Sequence, residues 1–213
     1  MRTRVKICCI SSHEEAQMAI SGGADALGLV GQMPGGPGVI ADGLIAEIAL
    51  RVPPPVATFL LTSQTSPEGI TRHQQRVHTS TLQIVDKLSE GSYRHIRQRL
   101  PGVKLVQVVH VTGQEAIDEA MALAPQADAL LLDSGNPLLK VKELGGTGRV
   151  HNWETSRKIV EAVQVPVFLA GGLKPENVRR AIDQVQPFGV DVCSGVRTDG
   201  KLDPRKLERF FDA

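Results

Sequence analysis

The chain has 213 residues, a formal net charge of +1 and 41% hydrophobic residues, which is ordinary for a globular protein of one large domain or two small ones. A chain of this size buries a core without disulfides or metals. The near-neutral charge argues against nucleic acid or an anionic membrane as a partner, and no apolar run approaches the roughly 20 residues of a membrane span.

Short apolar runs alternate with helix-like segments along the whole chain. Strands are predicted at residues 5–9, 25–30, 56–61, 82–85, 104–109, 128–132, 166–169 and 190–193. Helices are predicted at residues 12–22, 42–51, 66–77, 90–100, 114–124, 154–163, 175–185 and 203–211. This alternation predicts an α/β protein, a single (β/α)8 TIM barrel domain over residues 1–213. An open doubly wound sheet is the alternative, weakened because no G-x-G-x-x-G follows the first strand.

A barrel brings the residues that follow its strands to one mouth, where barrel enzymes place their sites. The side chains expected at this rim are Cys8 or Cys9, Gly31, Asp86, His110, Asp133, Gly171, Gly172, Ser194 and Gly195. His110 is interpreted either as a proton carrier or substrate donor, or as a hydrogen-bonded rim residue. His73 and His78 are expected to be solvated. No H-E-x-x-H or C-x-x-C occurs, so no metal is expected.

Two adjacent cysteines, Cys8 and Cys9, end the first predicted strand. Neighbouring strand residues point to opposite faces, so at most one of the two is expected to face the barrel axis, and Lys6 shares the parity of Cys8. Taken alone, a strand cysteine is more often a small core residue than a catalyst. With Cys193 the count is odd, so we expect free thiols in a reduced, cytoplasmic protein without a signal peptide.

Three glycine motifs fall in the last third of the chain: GGTG at residues 145–148, AGGL at 170–173 and CSGVR at 193–197. The second and third follow strands seven and eight, where barrels often bind phosphate. Glycines let exposed N–H groups approach an anion, and Arg197 would add charge. The motifs predict a phosphate site, although glycines that only turn the chain are the plainer interpretation.

Several motifs resemble the phosphoribosylanthranilate isomerase family of tryptophan biosynthesis: VKICCI, GADALGLV, ALLLDS, GGTGRVHNW, VFLAGGLKPENV and GVDVCSGVR. The resemblance implies a barrel that needs no cofactor and that converts an N-linked phosphoribosyl aminoaldose into an aminoketose. It implies Cys8 as general base and Asp133 as general acid. It also implies that Gly145, Gly146, Gly171, Gly172, Ser194 and Gly195 hold the phosphate, and Gln83 is retained from the family pattern. His110 and Arg197 are further candidate substrate contacts because of their places after strands five and eight, and at residue 197 the chain departs from the family, which has a glutamate there.

The chain departs from the family pattern where the rest of the substrate would bind. The family arginine that pairs with the anthranilate carboxylate has no counterpart in residues 31–40, and Cys9 replaces a glycine. After the fourth strand the family His-Gly pair is absent, and Asp86 stands there instead. Losing a charge-assisted contact is enough to change substrate preference without changing the reaction.

Two classes of function are therefore weighed. The first is an isomerase of this type, acting on a small sugar-phosphate substrate as a monomer or homodimer. The second is a related barrel that isomerises, or merely binds, a different sugar phosphate. The missing arginine favours the second class, and the retained pair of Cys8 and Asp133 favours an enzyme.

Overall fold

The computed structural model describes residues 2–89, 91–135 and 150–213. Eight parallel strands form a closed barrel in sequence order. They are β1 (Arg4–Ile7), β2 (Ala26–Val30), β3 (Ala57–Thr62), β4 (Thr81–Ile84), β5 (Lys104–His110), β6 (Ala129–Asp133), β7 (Val167–Leu169) and β8 (Gly189–Val192). Because β1 pairs with both β2 and β8, the barrel prediction is confirmed and the open sheet is excluded.

Helices alternate with these strands. They are α1 (His13–Gly22), α2 (Asp42–Arg51), α3 (Pro67–Val77), α4 (Ser92–Arg99), α5 (Glu115–Leu123), α6 (Trp153–Ala162), α7 (Val178–Val185) and α8 (Pro204–Asp212). A short antiparallel pair, β9 (Arg197–Thr198) and β10 (Lys201–Leu202), follows β8. In the described ranges, no helix has the length and apolar character that crossing a bilayer requires.

Capping side chains fix where several helices begin. The hydroxyl of Ser12 accepts a hydrogen bond from the Glu15 N–H at 3.2 Å, and that of Ser66 accepts one from the Gly69 N–H at 3.1 Å. These bonds satisfy N–H groups that have no partner inside the helix. Gly23 ends α1 with a φ of 107°, a conformation that favours glycine.

Apolar side chains pack on both faces of the strands. One cluster fills the space between strands and helices, and a second fills the barrel interior. Inside the barrel the rings of Phe59 and Phe168 meet edge to face, with centroids 5.9 Å apart. Burial on both faces explains why the strands appear in the sequence as continuous apolar runs rather than as alternating ones.

The prediction that the side chains of Cys8 and Cys9 point to opposite faces of the strand is wrong. Strand β1 ends at Ile7, and Cys9 has a φ of 61°, in the left-handed region. That conformation breaks the alternation of side chains, so both cysteines belong to the apolar cluster inside the barrel. The same conformation explains why glycine suits this position, since a left-handed backbone is costly for residues that carry a Cβ.

The expectation that His73 is solvated is also wrong, because its side chain is buried. Its Nδ1 lies 3.0 Å from Thr62 Oγ1, and its Nε2 lies 3.1 Å from Asp42 Oδ1. Burial lowers the pKa of His73, and the Asp42 carboxylate opposes that shift. The ring fills space beside Gly31, where a built Cβ would lie 2.4 Å from it. His73 therefore anchors the start of the loop that follows β2.

Candidate active site

A cavity opens at the carboxyl ends of the barrel strands, the place where barrel enzymes bind their ligands. Residues from both ends of the chain line it: Cys8, Cys9, Val30, Met33, Gly35, Gly36, Pro37, Leu61, Gln83, Asp133, Ala170, Gly171, Gly172, Leu173, Asp191, Val192, Cys193 and Ser194. In the described part of the chain, no group of three or more His, Cys, Asp or Glu side chains is arranged to hold a metal ion.

Cys8 follows β1, and its position depends on a close approach by β2. Its backbone N–H donates to the Val192 carbonyl at 2.8 Å, which ties it to the end of β8. A Cβ built at Gly28 would lie 2.6 Å from Cys8 Sγ and 3.0 Å from Lys6 Nζ. Glycine at position 28 therefore leaves the space in which the thiol and the ammonium group sit side by side.

Lys6 forms a buried ion pair inside the barrel. Its Nζ lies 2.8 Å from Asp191 Oδ1, and the Lys6 side chain is fully inaccessible. Burial alone would lower the pKa of Lys6, but the charge and hydrogen bond of Asp191, together with the neighbouring cysteine sulfurs, raise it. The ammonium group also lies 5.3 Å from the centroid of the Phe59 ring, a further contact that favours the cation. The structure thus places the Lys6 ammonium group beside Cys8.

Asp133 ends β6 and is only 8% exposed. Its Oδ1 accepts a hydrogen bond from the Ser134 N–H at 2.7 Å, which fixes the carboxyl group at the cavity wall. Gln83 lines the same cavity from β4, and its Oε1 is buried without a hydrogen-bond partner among the described residues. A buried oxygen of this kind is suited to accept a hydrogen bond from a ligand hydroxyl.

The loops after β7 and β8 bring backbone to the cavity where phosphate is predicted. Gly171 and Gly172 have φ values of 81° and 64°, and the Gly172 carbonyl accepts a hydrogen bond from Asn177 Nδ2 at 3.0 Å. A Cβ built at Gly195 would lie 1.9 Å from the Leu173 carbonyl oxygen, so the two loops pack together only with glycine there. Gly171, Gly172 and Ser194 line the cavity, and Gly195 lies behind them.

Arg197 makes contacts that point away from its predicted role with substrate. Its guanidinium donates to both carboxylate oxygens of Glu15, at 2.8 and 3.0 Å, and to the carbonyls of Cys8 and Cys9 at 3.3 and 2.6 Å. Burial alone would raise the pKa of Glu15, but Arg197 and backbone N–H groups lower it. Arg197 therefore holds the chain segment that carries the two cysteines.

One other predicted contact, His110, lies away from this cavity. His110 lines a separate cavity with Asp86 and Gln107, and its Nε2 lies 3.1 Å from the Val85 carbonyl oxygen. The predicted contacts Gly145 and Gly146 lie outside the described residues. The mouth of the barrel thus brings together Cys8, Asp133, Gln83, Gly171, Gly172 and Ser194 among the predicted residues.

His151 is a half-buried residue near the site that the motifs did not single out. Its Nε2 lies 2.7 Å from Ser156 Oγ. Burial lowers the pKa of His151 to about 4, and the Asp133 carboxylate opposes that shift. The signal for it in the sequence is weak, because a lone histidine before a helix is common on exposed surfaces as well.

The pKa of His151 predicts a pH-dependent stability. Because the folded-state pKa of about 4 lies below the ordinary 6.5, the unfolded chain binds the proton more tightly. The contribution of neutral His151 to the free energy of unfolding is complete above pH 6.5 and is lost as the pH falls toward 4. The gap between the two pKa values corresponds to a loss of roughly 3 kcal/mol. We therefore expect the urea midpoint of His151→Gln to change less between pH 6.5 and pH 4 than the midpoint of the wild type. His78→Gln, at an exposed position, should keep the wild-type dependence of the urea midpoint on pH. The same dependence in the wild type and in both variants would contradict the role given to His151.

Comparisons with known proteins find one family over nearly the whole chain. The family model for N-(5'phosphoribosyl)anthranilate (PRA) isomerase matches residues 5–213. The chain is 34% identical to N-(5'-phosphoribosyl)anthranilate isomerase of Methanocella arvoryzae, over 98% of this chain and 96% of that one. It is similar to the crystal structure of phosphoribosyl anthranilate isomerase from Thermotoga maritima, with a TM-score of 0.85, 30% identity, and coverage of 99% and 98%.

A further similar structure contains a bound ligand. It is a phosphoribosyl anthranilate isomerase in complex with reduced 1-(O-carboxyphenylamino)-1-deoxyribulose 5-phosphate. Its TM-score is 0.82, with 28% identity over 99% of this chain and 97% of that one. These three proteins share one named activity, and each matches this chain over nearly its whole length.

Proposed function

Because the chain belongs to the N-(5'-phosphoribosyl)anthranilate isomerase family, we propose that its cavity carries out the Amadori isomerisation with Cys8 as general base and Asp133 as general acid. The chain is an aldose–ketose isomerase of the type that serves tryptophan biosynthesis. The observation that carries the assignment of residues is that a thiol and a carboxyl group, 125 positions apart, line one cavity beside two glycine loops.

The reaction begins at the sugar ring. Asp133 gives its proton to the ring oxygen as the bond between that oxygen and the first sugar carbon breaks, and the lone pair of the substrate nitrogen forms the new bond to that carbon, which leaves a protonated imine. General acid catalysis of this kind needs a carboxyl group held against the reacting atom. The bond from Ser134 N–H keeps the Asp133 carboxyl group in one orientation.

The second step removes the proton on the neighbouring carbon. The Cys8 thiolate takes that proton, and the electron pair of the broken C–H bond moves toward the imine to form an enolamine. Transfer of a proton to the first carbon and loss of the enol proton then give the aminoketose. The Lys6 ammonium group lies beside Cys8 in the space that Gly28 leaves open.

The glycine loops after β7 and β8 bind the phosphate group of the substrate. Gly171, Gly172 and Ser194 present backbone to the cavity, and the close packing at Gly195 keeps the two loops together. Backbone amides bind phosphate without side chains that would compete for the space. Gln83 Oε1 is placed to accept a hydrogen bond from a sugar hydroxyl.

One feature favours a second candidate, an isomerase whose substrate carries no carboxylate on its amine. The described residues that line the cavity include no arginine, and the loop after β2 contributes Met33, Gly35, Gly36 and Pro37. An apolar and glycine-rich wall fits an uncharged substituent better than an anionic one. The reaction and its two reacting residues would be the same.

A fluorescence assay tests the proposal. Purified protein mixed with phosphoribosylanthranilate is expected to consume the fluorescent substrate, and the gene is expected to restore growth of an auxotroph that lacks the isomerase. Consumption of only an analogue without the carboxylate would favour the second candidate. Failure to turn over either compound, while a sugar phosphate still raises the melting temperature, would indicate a binding protein.

The setting in which the protein works is part of the proposal. The three cysteines are free, as a reducing compartment maintains them. We propose the cytoplasm, where sugar-phosphate substrates are made and used. Fractionation of the source cells would test this.

A further inference from the structure

Three thiols meet at the cavity, and the isomerisation uses one of them. Cys8, Cys9 and Cys193 are all free, and all three line the same cavity. They meet because β1 and β8 are neighbours in register, with Ile7 opposite Val192, so the residues after each strand emerge together. The left-handed backbone at Cys9 turns a residue that would face away into this cluster.

Cys9 and Cys193 share two openings. Both line the main cavity, and both line a second opening. Interaction with the other two sulfurs, together with burial, raises the pKa of Cys9. Interaction with Cys9 and the charge of Arg197 lower the pKa of Cys193, against the effect of burial. Cys193 is the partly exposed member of the pair and lies near a cation, so it is the sulfur better suited to react with a peroxide.

Small molecules from solvent have access to this pair. Cys193 is partly exposed, and with Cys9 it lines a second opening beside Ser11, Pro37 and Gly38. This opening adjoins Arg197, which contributes positive charge next to the sulfur. A thiol that is accessible, close to a cation and beside a second thiol in the same opening has the features of a redox-sensitive cysteine.

We propose that Cys9 and Cys193 form a redox pair in which a peroxide oxidises Cys193 and Cys9 resolves the product to a disulfide. The Cys193 thiolate attacks a peroxide oxygen, the O–O bond breaks, and the leaving hydroxide takes a proton to become water. Cys193 is then a sulfenic acid. Cys9 sulfur attacks it, the S–O bond breaks, and a second water leaves with the Cys9 proton. One peroxide is reduced by two electrons, and two thiols become one disulfide.

Geometry favours this pairing over one between Cys8 and Cys9. Consecutive Cα atoms are about 3.8 Å apart, shorter than the separation of about 4.4–6.8 Å usual for disulfides. Cys9 and Cys193 belong to two different loops, which can adjust. The proposed disulfide would leave Cys8 as the remaining thiol.

Closing the pair would act on the isomerase. Cys9 follows the proposed general base, and Cys193 directly precedes Ser194, which lines the cavity in the proposed phosphate loop. A bond between them would tie the catalytic segment to the phosphate loop across the mouth. This consequence rests on the proposed function, whereas formation of the disulfide does not.

Thiol counting and peptide mapping test the pairing. Fully reduced protein treated with hydrogen peroxide should fall from three reactive thiols to one. Its mass should drop by two hydrogen atoms, and dithiothreitol should restore both values. In Cys8→Ser the disulfide should still form. In Cys9→Ser it should not, and Cys193 should instead gain oxygen.

The effect on catalysis is measured on the same samples. Turnover by the wild type should fall as the number of reactive thiols falls, and it should recover when dithiothreitol restores that number.

Different results would refute the formation of the disulfide and its effect on turnover. A disulfide that contains Cys8, or three thiols that persist under peroxide, would refute the redox pair whatever the enzyme does. A Cys9–Cys193 disulfide with unchanged turnover would refute the coupling to catalysis. Formation of the disulfide in a protein that never consumes phosphoribosylanthranilate would refute the proposed function and leave the redox pair standing.

Discussion

Asp133→Asn is expected to lower kcat by about 10²- to 10⁴-fold, the range that general acid catalysis contributes. The amide keeps the shape of the side chain and its contact with the Ser134 N–H, but it has no acidic proton to give to the ring oxygen. Because shape and contacts persist, KM should change little. The measurement is the initial rate of loss of substrate fluorescence over a range of concentrations, with the melting temperature as the check of folding.

A matched change at a different strand end isolates the role of Asp133. Asp86 is equally buried at the end of β4 but lines the separate cavity with His110, so Asp86→Asn should leave kcat within a few-fold of the wild type. Cys8→Ser should lose activity on the scale of Asp133→Asn, because a serine hydroxyl is a much weaker base than a thiolate. Equal losses in Asp86→Asn and Asp133→Asn would contradict the assignment of the acid.

The fold was predictable because its signals are local. Each strand is a short apolar run, and several helices open with side chains that cap their own N–H groups, as Ser12 and Ser66 do. The segment predicted at residues 128–132 is found at Ala129–Asp133, one residue later. Local signals of this kind repeat eight times, and the repetition alone favours a closed barrel.

Barrel geometry also made the placement of several candidate site residues predictable. Once the strands are known, Asp133, Gly171 and Gly172 are expected at one mouth, and all three line the same cavity there. His110 emerges at the same end but lines another cavity, because the face on which a side chain lies depends on local twist that the sequence pattern does not contain.

Long-range partners were beyond the sequence. Arg197 lies next to the predicted phosphate loop, yet Glu15, 182 positions away, holds its guanidinium. Cys9 was mispredicted for a different reason. Its left-handed backbone breaks the alternation of side chains along the strand, and the orientation of its own side chain had been predicted from that alternation. Pairings and backbone reversals of this kind appear only once the elements are assembled.

The buried pair of Lys6 and Asp191 should be the most sensitive point for stability. Lys6→Met removes the cation and leaves the Asp191 carboxylate buried without its partner. Breaking a buried ion pair in this way typically costs about 3–5 kcal/mol, which is a large share of the 5–15 kcal/mol that holds a domain folded. Urea unfolding at neutral pH measures the loss. Lys104→Met, at a lysine on the surface of β5, is the matched control and should cost less than 1 kcal/mol.

The double variant separates stability from activity. Replacing both charges with apolar side chains of similar size, as in Lys6→Met/Asp191→Leu, removes the unpaired buried carboxylate, so most of the lost stability should return. Turnover should not return, because Cys8 would then lack the ammonium group that lies beside it over Gly28. A double variant as unstable as Lys6→Met would show that the ion pair itself stabilises the barrel. A stable double variant with full activity would show that the charge of Lys6 has no part in the reaction.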